Sequence, residues 1–513
     1  TGNLTGTVSG GAVTQSGALV IPGTTTITAS GQDVTFNNAS NNFGTIGVTG
    51  ADVTIRDTNA VIIAASTVSG DLSVTAAGAI TDSGNISVDG SGKTATFAAG
   101  SSNNITLNNS NDFKTLLITS GNNVTIVDTD DIALGASTVS GTFGVTSTNG
   151  SITNSGALDI EGVATFTVTN GQSITLDNGS NDFTATPVFS ASSGTIASVT
   201  ITDTSALAFG ALTVTGNLTG TVSGGAVTQS GTLVIPGTTT ISASGQDVTL
   251  SNASNNFGTI LVTGADVTIR DTNAVILGAS TVSGDLSVTA AGAITDSGNI
   301  SVDGSSKSAT FNAGSGNDIT LNNSNDFKTL KIAAARNVAV TDSDDVALGL
   351  SDVEGTFAIT STAGSITNSG NLDIEGASTF TVTNGQSITL NSSGNDFAST
   401  VTFTASSGTI ADVTIVDGSA FDVKALTITG DLSVTAAGAI TDSGNISVDG
   451  SSKTATFAAG SGNNITLNNS NDFKTLVITS GNDVTIVDTD ELDIGASTVS
   501  GDLSVTTSGA ITD

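Results

Sequence analysis

A repeat of about 70 residues is the feature that most constrains how this chain folds. The stretch "NNITLNNSNDFKTL" from Asn103 to Leu116 returns unchanged from Asn463 to Leu476, and again from Asn317 to Leu330 with Asp318 as its one difference. A longer period also holds, because "TGNLTGTVSGGAVTQSG" occurs both at Thr1 and at Thr215. Such periods are typical of linear arrays in which each repeat docks on its neighbour.

One phenylalanine marks every repeat. It recurs at nearly equal intervals, at Phe43, Phe113, Phe183, Phe257, Phe327, Phe397 and Phe473. We distinguish three repeat types: A at 1–68 and 215–282, B at 69–139, 283–353 and 429–499, and C at 140–214 and 354–428, with a further unit starting at 500–513. Because B follows both A and C, we expect a shared docking interface and one continuous domain over residues 1–513. The chain starts and stops within this pattern, which indicates a fragment of a longer repeat protein.

Apolar and small polar residues alternate with a period of two, which predicts short β-strands. In the first B repeat the inward-facing candidates are Leu72, Val74, Ile86, Val88, Phe97, Ile105, Leu107, Leu116, Ile118, Val124, Ile126, Ile132 and Leu134. Gly, Asn, Asp and Ser separate the strands, and no stretch has a helical pattern.

Two all-β architectures fit many short strands in tandem: a β-solenoid and a string of β-sandwich domains. Units of about 70 residues are small for sandwiches, which need about 100. The chain has no Trp or Tyr to fill a wide core, and no linker separates its repeats. We therefore predict a β-solenoid, with about three coils of about 24 residues in each repeat, although four coils would also fit. A chain of calcium-clamped sandwich domains is the remote alternative.

The repeated asparagine cluster is interpreted as a corner of the solenoid. Asparagine can donate to and accept from an identical neighbour in the next coil, and it tolerates turn conformations. We expect Asn108 and Asn109 to form such a ladder. Asn111 and Asp112 should close the turn, and Phe113 should fold inward or cover the edge of a coil. Lys114, Lys328 and Lys474 then project outward, either as solvated edge residues or as contacts for anionic surfaces.

Composition argues against most catalysis and against binding of nucleic acid. The 513 residues include no His or Cys, so the usual general bases and nucleophiles are missing, and we expect no enzymatic activity. With 11 Lys plus Arg against 45 Asp plus Glu, the net charge is -34, which disfavours contact with phosphate backbones. No apolar run is long enough to span a membrane.

Acidic corners are the best candidates for a metal site. Three carboxylates lie close in sequence in each B repeat: Asp128, Asp130 and Asp131; Asp342, Asp344 and Asp345; and Asp488, Asp490 and Glu491. They could offer oxygen ligands to calcium. Simple Asx turns are the favoured explanation, because Asp favours turns and no glycine-rich calcium nonapeptide is present. We assign no cofactor.

One stretch carries a family resemblance. "SGDLSVTAAGAITDSGNISVDG", from Ser69 to Gly90 and again from Ser283 and Thr429, has the form G-x-L-x-V-x-A-x-G-x-I-x-x-S-G, and "GSITNSGALDIEG" from Gly150 to Gly162 is a looser version. It resembles the β-helical repeats of filamentous-haemagglutinin-like exoproteins, the bacterial adhesins secreted by the two-partner route. The resemblance implies a right-handed parallel β-helix.

The same resemblance implies an extracellular or cell-surface shaft used in attachment or biofilm assembly. The expected partners are copies of the chain in a fibre, or host or neighbouring cell surfaces reached through regions outside this fragment. The alternative is a lateral face that itself binds glycans or sister filaments.

Overall fold

A computed structural model describes residues 2–448 and 450–513. Thr1 and Asp449, which fall within the predicted repeats 1–68 and 429–499, lie outside the described residues. None of the described residues is helical, as the sequence predicts. The chain forms two compact bodies, residues 1–258 and residues 259–513.

The first body is built from short strands joined by tight turns. Strands β1 to β31 are, in order, Leu4–Thr7, Val13–Thr14, Val20–Thr28, Val34–Phe36, Asn42–Gly50, Val53–Asp57, Val61–Ile63, Ser66–Val68, Leu72–Ala76, Ile80–Asp82, Ile86–Val88, Ala95–Ala98, Ile105–Phe113, Thr115–Ser120, Val124–Asp128, Ile132–Leu134, Ser137–Val139, Phe143–Ser147, Ile152–Asn154, Leu158–Ile160, Ala164–Val168, Ile174–Leu176, Asp182–Phe183, Val188–Ala191, Val199–Asp203, Leu207–Phe209, Leu212–Thr213, Leu218–Val222, Val227–Gln229, Leu233–Ser242 and Val248–Leu250.

The second body continues the same pattern, and its first strand, β32, contains the point where the bodies divide. Strands β32 to β63 are, in order, Asn256–Gly264, Val267–Asp271, Val275–Leu277, Ser280–Val282, Leu286–Ala290, Ile294–Asp296, Ile300–Val302, Ala309–Asn312, Ile319–Phe327, Thr329–Ala335, Val338–Asp342, Val346–Val353, Phe357–Ser361, Ile366–Asn368, Leu372–Ile374, Ser378–Val382, Ile388–Leu390, Asp396–Phe397, Val401–Ala405, Val413–Asp417, Phe421–Val423, Leu426–Thr427, Leu432–Ala436, Ile440–Asp442, Ile446–Val448, Thr454–Ala458, Ile465–Phe473, Thr475–Ser480, Val484–Asp488, Leu492–Ile494, Leu503–Thr507 and Ile511–Thr512.

Within each body the strands stack in parallel, coil upon coil. The steps between paired residues range from a short one, Ile46 to Ile63, to a long one, Ile80 to Ile105. Each coil therefore holds about 20 residues on average, fewer than the ~24 expected. Parallel pairing between successive coils confirms the predicted β-solenoid for each body, in place of a string of sandwich domains.

A coil contributes one segment to each of two faces. A continuous segment is one strand, such as β15 or β18, whereas a divided segment is two short strands separated by a bend, such as β16 with β17. From β15 the chain runs through seven segments: continuous β15, divided β16 and β17, continuous β18, divided β19 and β20, continuous β21, divided β22 and β23, and continuous β24. The next repeat then begins at β25 with another continuous segment.

Seven is an odd number of half-coils, so successive repeats begin on opposite faces. One face connects β6, β9, β12, β14, β16, β19, β22 and β25, seven pairing steps that span two repeats. The set of seven segments that starts at β15 comes between the sets that start at β6 and β25. β15 lies on the other face, which connects β7, β10, β13, β15, β18, β21 and β24. One repeat thus spans three and a half coils, between the three and four that the sequence allowed.

The core is a column of inward aliphatic and phenylalanine side chains. All the inward-facing candidates of the first B repeat are buried, which confirms the period-two prediction. The marker phenylalanines are also buried, and pairs such as Phe97 and Phe113 pack edge to face with ring centroids 5.9 Å apart. Stability therefore comes from apolar stacking together with pairing between coils.

Candidate functional site

The repeated Asn-Asp-Phe stretch lies at a junction, the place where a divided segment meets the first continuous segment of the next set of seven. In the first B repeat the single strand β13 takes the place of the divided segment, because it pairs with both short strands, β10 and β11, of the preceding coil. Leu107 of β13 pairs with Ile126 of β15, but the next partners are Asn111 and Asp128. Four residues on one strand are therefore matched by two on the other. This irregularity interrupts the backbone ladder inside the molecule, where each unpaired N–H group must find another acceptor.

Two buried side chains accept these N–H groups. Asp128 accepts the backbone N–H of Phe113 at 2.7 Å through Oδ1 and that of Asp130 at 3.2 Å through Oδ2. Asn111 Oδ1 accepts the N–H of Ile86 at 2.8 Å, and the Asn111 amide donates to Asp82 Oδ2 at 2.8 Å. Each of these bonds except the one to Asp130 joins two coils, so the junction holds the stack together where strand pairing fails.

The junction recurs along the chain. The asparagine is fully buried at Asn41, Asn111, Asn181, Asn255, Asn325, Asn395 and Asn471. The bond from the phenylalanine N–H to the aspartate measures 2.6 Å for Phe43 and Asp57, 2.7 Å for Phe113 and Asp128, 3.3 Å for Phe183 and Asp203, 2.8 Å for Phe327 and Asp342, 3.3 Å for Phe397 and Asp417, and 2.8 Å for Phe473 and Asp488. The same letters return because each repeat needs this closure.

Burial alters the acid strength of the junction aspartates. Desolvation raises the pKa of Asp128 to about 7, against the hydrogen bonds from Phe113 and Asp130 N–H, which favour the ionised form. The nearby carboxylates of Asp130 and Asp112 raise this pKa further. The pKa of Asp342 is raised to about 7 for the same reason, with Asp344 and Asp326 in the corresponding positions.

The predicted corner ladder of identical asparagines does not form at this site. The backbone N–H groups of Asn108 and Asn109 donate to Asp82 Oδ1 and Oδ2 at 3.0 and 3.1 Å. Asp82 belongs to the preceding coil. Since equivalent asparagines are three and a half coils apart, no identical neighbour lies in the adjacent coil. Asp112 is half-buried, with no hydrogen-bond partner at its Oδ1, and Phe113 is buried.

The acidic corners do not bring their carboxylates to one point. Asp128 is buried and holds the junction, whereas Asp131 Oδ1 accepts the N–H of Ser151 at 2.8 Å. Asp345 does the same for Ser365 at 2.7 Å. Glu491 instead pairs with Lys474 at 2.7 Å. Within residues 2–448 and 450–513 no group of three acidic side chains is arranged to hold a metal ion, so this geometry does not support the calcium alternative.

The remaining members of these corners take the same local roles. Asp130 and Asp344 each donate a backbone N–H to the junction aspartate two residues earlier, at 3.2 and 3.1 Å, and Asp490 does so to Asp488 at 3.1 Å. These are the Asx turns that the sequence offered as the other explanation.

Shallow grooves open beside the repeat lysines. The groove at Lys114 has a volume of about 320 Å³ and is lined by Asp131, Ser151 and Thr153, and the groove at Lys328 has about 370 Å³. Both lysines are exposed, and in the described part of the chain neither forms a salt bridge. At Lys474 the groove shrinks to about 130 Å³, because Glu491 pairs with the ammonium and Asp493 replaces a small residue.

Sequence reasoning missed the role of the junction aspartates. It treated Asp128, Asp342 and Asp488 as members of acidic corners, with no buried role, whereas all three are buried. One signal was available. A strand of the form V-x-I-x-D or V-x-V-x-D follows each marker phenylalanine before the next repeat of the pattern, and an aspartate at the end of an inward-facing strand indicates a buried acceptor.

The described residues include no helix long and apolar enough to cross a membrane. Comparison with curated proteins and with solved structures finds no match. A family described as "Repeats of unknown function (DUF5649)" matches residues 1–49, 50–120, 121–190, 197–263, 264–334, 335–404, 411–480 and 481–513. Each full match begins near the strand that opens a new set of seven half-coils, so the family unit and the structural repeat share one phase. The chain therefore belongs to this family of repeats.

Proposed function

We propose that the chain is a non-enzymatic structural shaft, part of an extracellular or surface-attached bacterial filament that serves attachment or matrix assembly. One observation carries the proposal: the first B repeat shares its backbone pairing with the repeats on both sides. Leu72 of the first B repeat pairs with Val53 of the preceding A repeat, and Ile152 of the following C repeat pairs with Ile132 of that B repeat. Repeats that share coils in this way transmit force through backbone hydrogen bonds and cannot swivel as separate beads.

Length should then scale with coil number. Three and a half coils at about 4.8 Å each add about 17 Å per repeat, whereas a separate bead of this size would add about 28 Å. Deletion of residues 69–139, one whole repeat, should keep the far-ultraviolet circular dichroism of a β protein and shorten the particle by about 17 Å in small-angle scattering.

A second, matched deletion tests whether the stack tolerates only the loss of whole half-coils. Removing residues 69–144 takes out five residues more and deletes the start of β18, so the remaining strands cannot resume their register. We expect this variant to be destabilised. If both deletions fold equally well, or if the first shortens the particle by the about 28 Å of a separate bead, the shaft proposal fails.

The extracellular and adhesive parts of the proposal rest on composition and on the resemblance to secreted haemagglutinin-like repeats. A chain without cysteine does not depend on the redox state of its compartment, and its high net negative charge of -34 favours solubility of a long molecule. Antibody labelling of intact and permeabilised cells tests the location. Labelling that requires permeabilisation would contradict it.

A lateral binding face is the second candidate, supported by the open grooves at Lys114 and Lys328. Each groove contains a lysine ammonium that takes part in none of the described salt bridges, together with a carboxylate and hydroxyl groups. These groups can form hydrogen bonds to sugar hydroxyls or to a neighbouring filament. The whole protein should then be retained on a glycan array, and a Lys114→Ala and Lys328→Ala double variant should lose retention. Lys474→Ala is the matched control, because Glu491 already pairs with that lysine.

A further inference from the structure

The two C repeats share an interruption that the A and B repeats lack. In the first body β24 pairs with β21 of the preceding coil, but no pairing between described residues joins β24 to β26 on the following coil. In the second body β50 pairs with β47, and again none between described residues joins it to β52. The equivalent strands of the first B repeat, β14 and β16, do pair, through Leu116 and Leu134.

An inserted loop accompanies the interruption. The family matches leave out residues 191–196 and 405–410, which directly follow the last residues of the matched segments in the two C repeats. Fifteen residues, 184–198, connect the junction phenylalanine to Val199, where the first B repeat uses ten, 114–123, before Val124. Because of the extra length, β24 is not aligned with β26 in the way that β14 is aligned with β16. The edge of β24 that faces the following coil is therefore not paired with β26.

The junction bond from phenylalanine to aspartate is also longest in the C repeats. The N–H to carboxylate distance is 3.3 Å for Phe183 and for Phe397, against 2.6 to 2.8 Å for Phe43, Phe113, Phe327 and Phe473. Asp203 Oδ2 and Asp417 Oδ2 are buried without a hydrogen-bond partner. Burial is the largest cause of the raised pKa of both carboxyls. A buried acceptor left unsatisfied costs free energy that the closed state must bear.

Open space supports the looser packing. A methyl group built on Gly210 of the first C repeat meets no atom within 4 Å, whereas one on Gly135 of the B repeat would collide with Leu117. The second C repeat has Lys424 at the position of Gly210, and its ammonium reaches Asp422 at 2.8 Å. A cavity of about 370 Å³ lies beside Asp422, lined in part by the two phenylalanines Phe397 and Phe421.

We propose that the unpaired strand edges of the C repeats, β24 beside β26 and β50 beside β52, are compliant joints. The coil stack opens locally there before it opens at the equivalent paired strands of the A or B repeats, such as β14 and β16. Each joint lies within one body and concerns one face. A shaft carrying such joints at every third repeat yields at defined places under load or heat, while the coils between them stay closed. This inference concerns local opening and does not depend on where the protein acts.

Hydrogen exchange measured by mass spectrometry on the full chain tests the joints directly. The joint peptides should exchange at least about tenfold faster than the matched peptides of the B repeats. The joint peptides cover 188–191 and 207–209 in the first body and 401–405 and 421–423 in the second. The matched B peptides cover 115–120 and 132–134 in the first body and 329–335 and 346–353 in the second. Tenfold corresponds to about 1.4 kcal/mol, the order of one net hydrogen bond. Equal protection of the two sets, or fast exchange in only one of the two C repeats, would overturn the proposal.

A loop exchange tests the cause. Replacing residues 184–198 with the ten residues 114–123 converts the C connection into a B connection. Exchange at 207–209 should slow to the level of 132–134, while exchange at 421–423, which was not altered, stays fast and serves as the internal control. Persistent fast exchange at 207–209 in a variant with an otherwise unchanged exchange map would show that the insertion does not create the joint.

Discussion

Asp128 makes the stability of the first body depend on pH. Its side chain is fully buried, and its pKa is raised from 3.8 to about 7, with desolvation as the main cause. The folded protein therefore binds this proton more tightly than the unfolded chain does. The free energy of unfolding should fall as pH rises from about 4 to about 7, and should then level off once the buried group is ionised.

The size of the effect follows from the two pKa values. Between pH 5 and pH 8 the difference between 3.8 and about 7 amounts to about 2 to 3 kcal/mol. The charged groups facing Asp128 are Asp130 and Asp112, both acidic, and they act in the same direction as burial. Asp342 should produce the same dependence in the second body.

Urea denaturation at pH 5, 6, 7 and 8, followed by circular dichroism, measures this dependence. In Asp128→Asn the amide oxygen keeps one acceptor and the group no longer titrates, so the contribution of this site to the pH slope should disappear. The variant should be about 1 kcal/mol less stable at pH 5, where it lacks the second acceptor, and equal to or more stable than the parent at pH 8. Asp159→Asn, at an exposed position of the same body, is the control. Stability that is flat or rises from pH 5 to 8, or an unchanged slope in Asp128→Asn, would refute the reasoning.

Three further substitutions test the packing. Phe113→Ala removes a fully buried ring and should cost about 3 to 5 kcal/mol in urea denaturation, and a loss below about 1 kcal/mol would mean that the core collapses around the gap. Asn111→Ala leaves the N–H of Ile86 unsatisfied and should lower the free energy of unfolding by about 1 to 3 kcal/mol. The specific readout is faster amide exchange at Ile86, because a loss of apolar packing alone would leave the exchange rate of that amide unchanged. Gly150→Ala places a methyl group against the backbone of Asp130 in the preceding coil, so its melting temperature should drop, and an unchanged melting temperature would contradict the close stacking.

Much of the fold was predictable because the repeat and the period-two pattern are local properties. Alternation alone identified the inward residues from Leu72 to Leu134, because neighbouring side chains of a strand point to opposite faces. For Phe113 the sequence left two positions open, inside the coil or over its edge, and the structure buries the ring. The buried role of Asp128 was not expected, since its acceptor function exists only where two strands of unequal length meet.

The sequence by itself determined an all-β solenoid of tandem repeats and its inward-facing residues from Leu72 to Leu134. Only the tertiary structure decided the coil length, because strand patterns do not show which strand pairs with which. Pairing set about 20 residues per coil and therefore an odd seven half-coils per repeat. That odd number places successive repeats on opposite faces, and it requires a buried carboxylate at each junction because the strand segments meeting there differ in length.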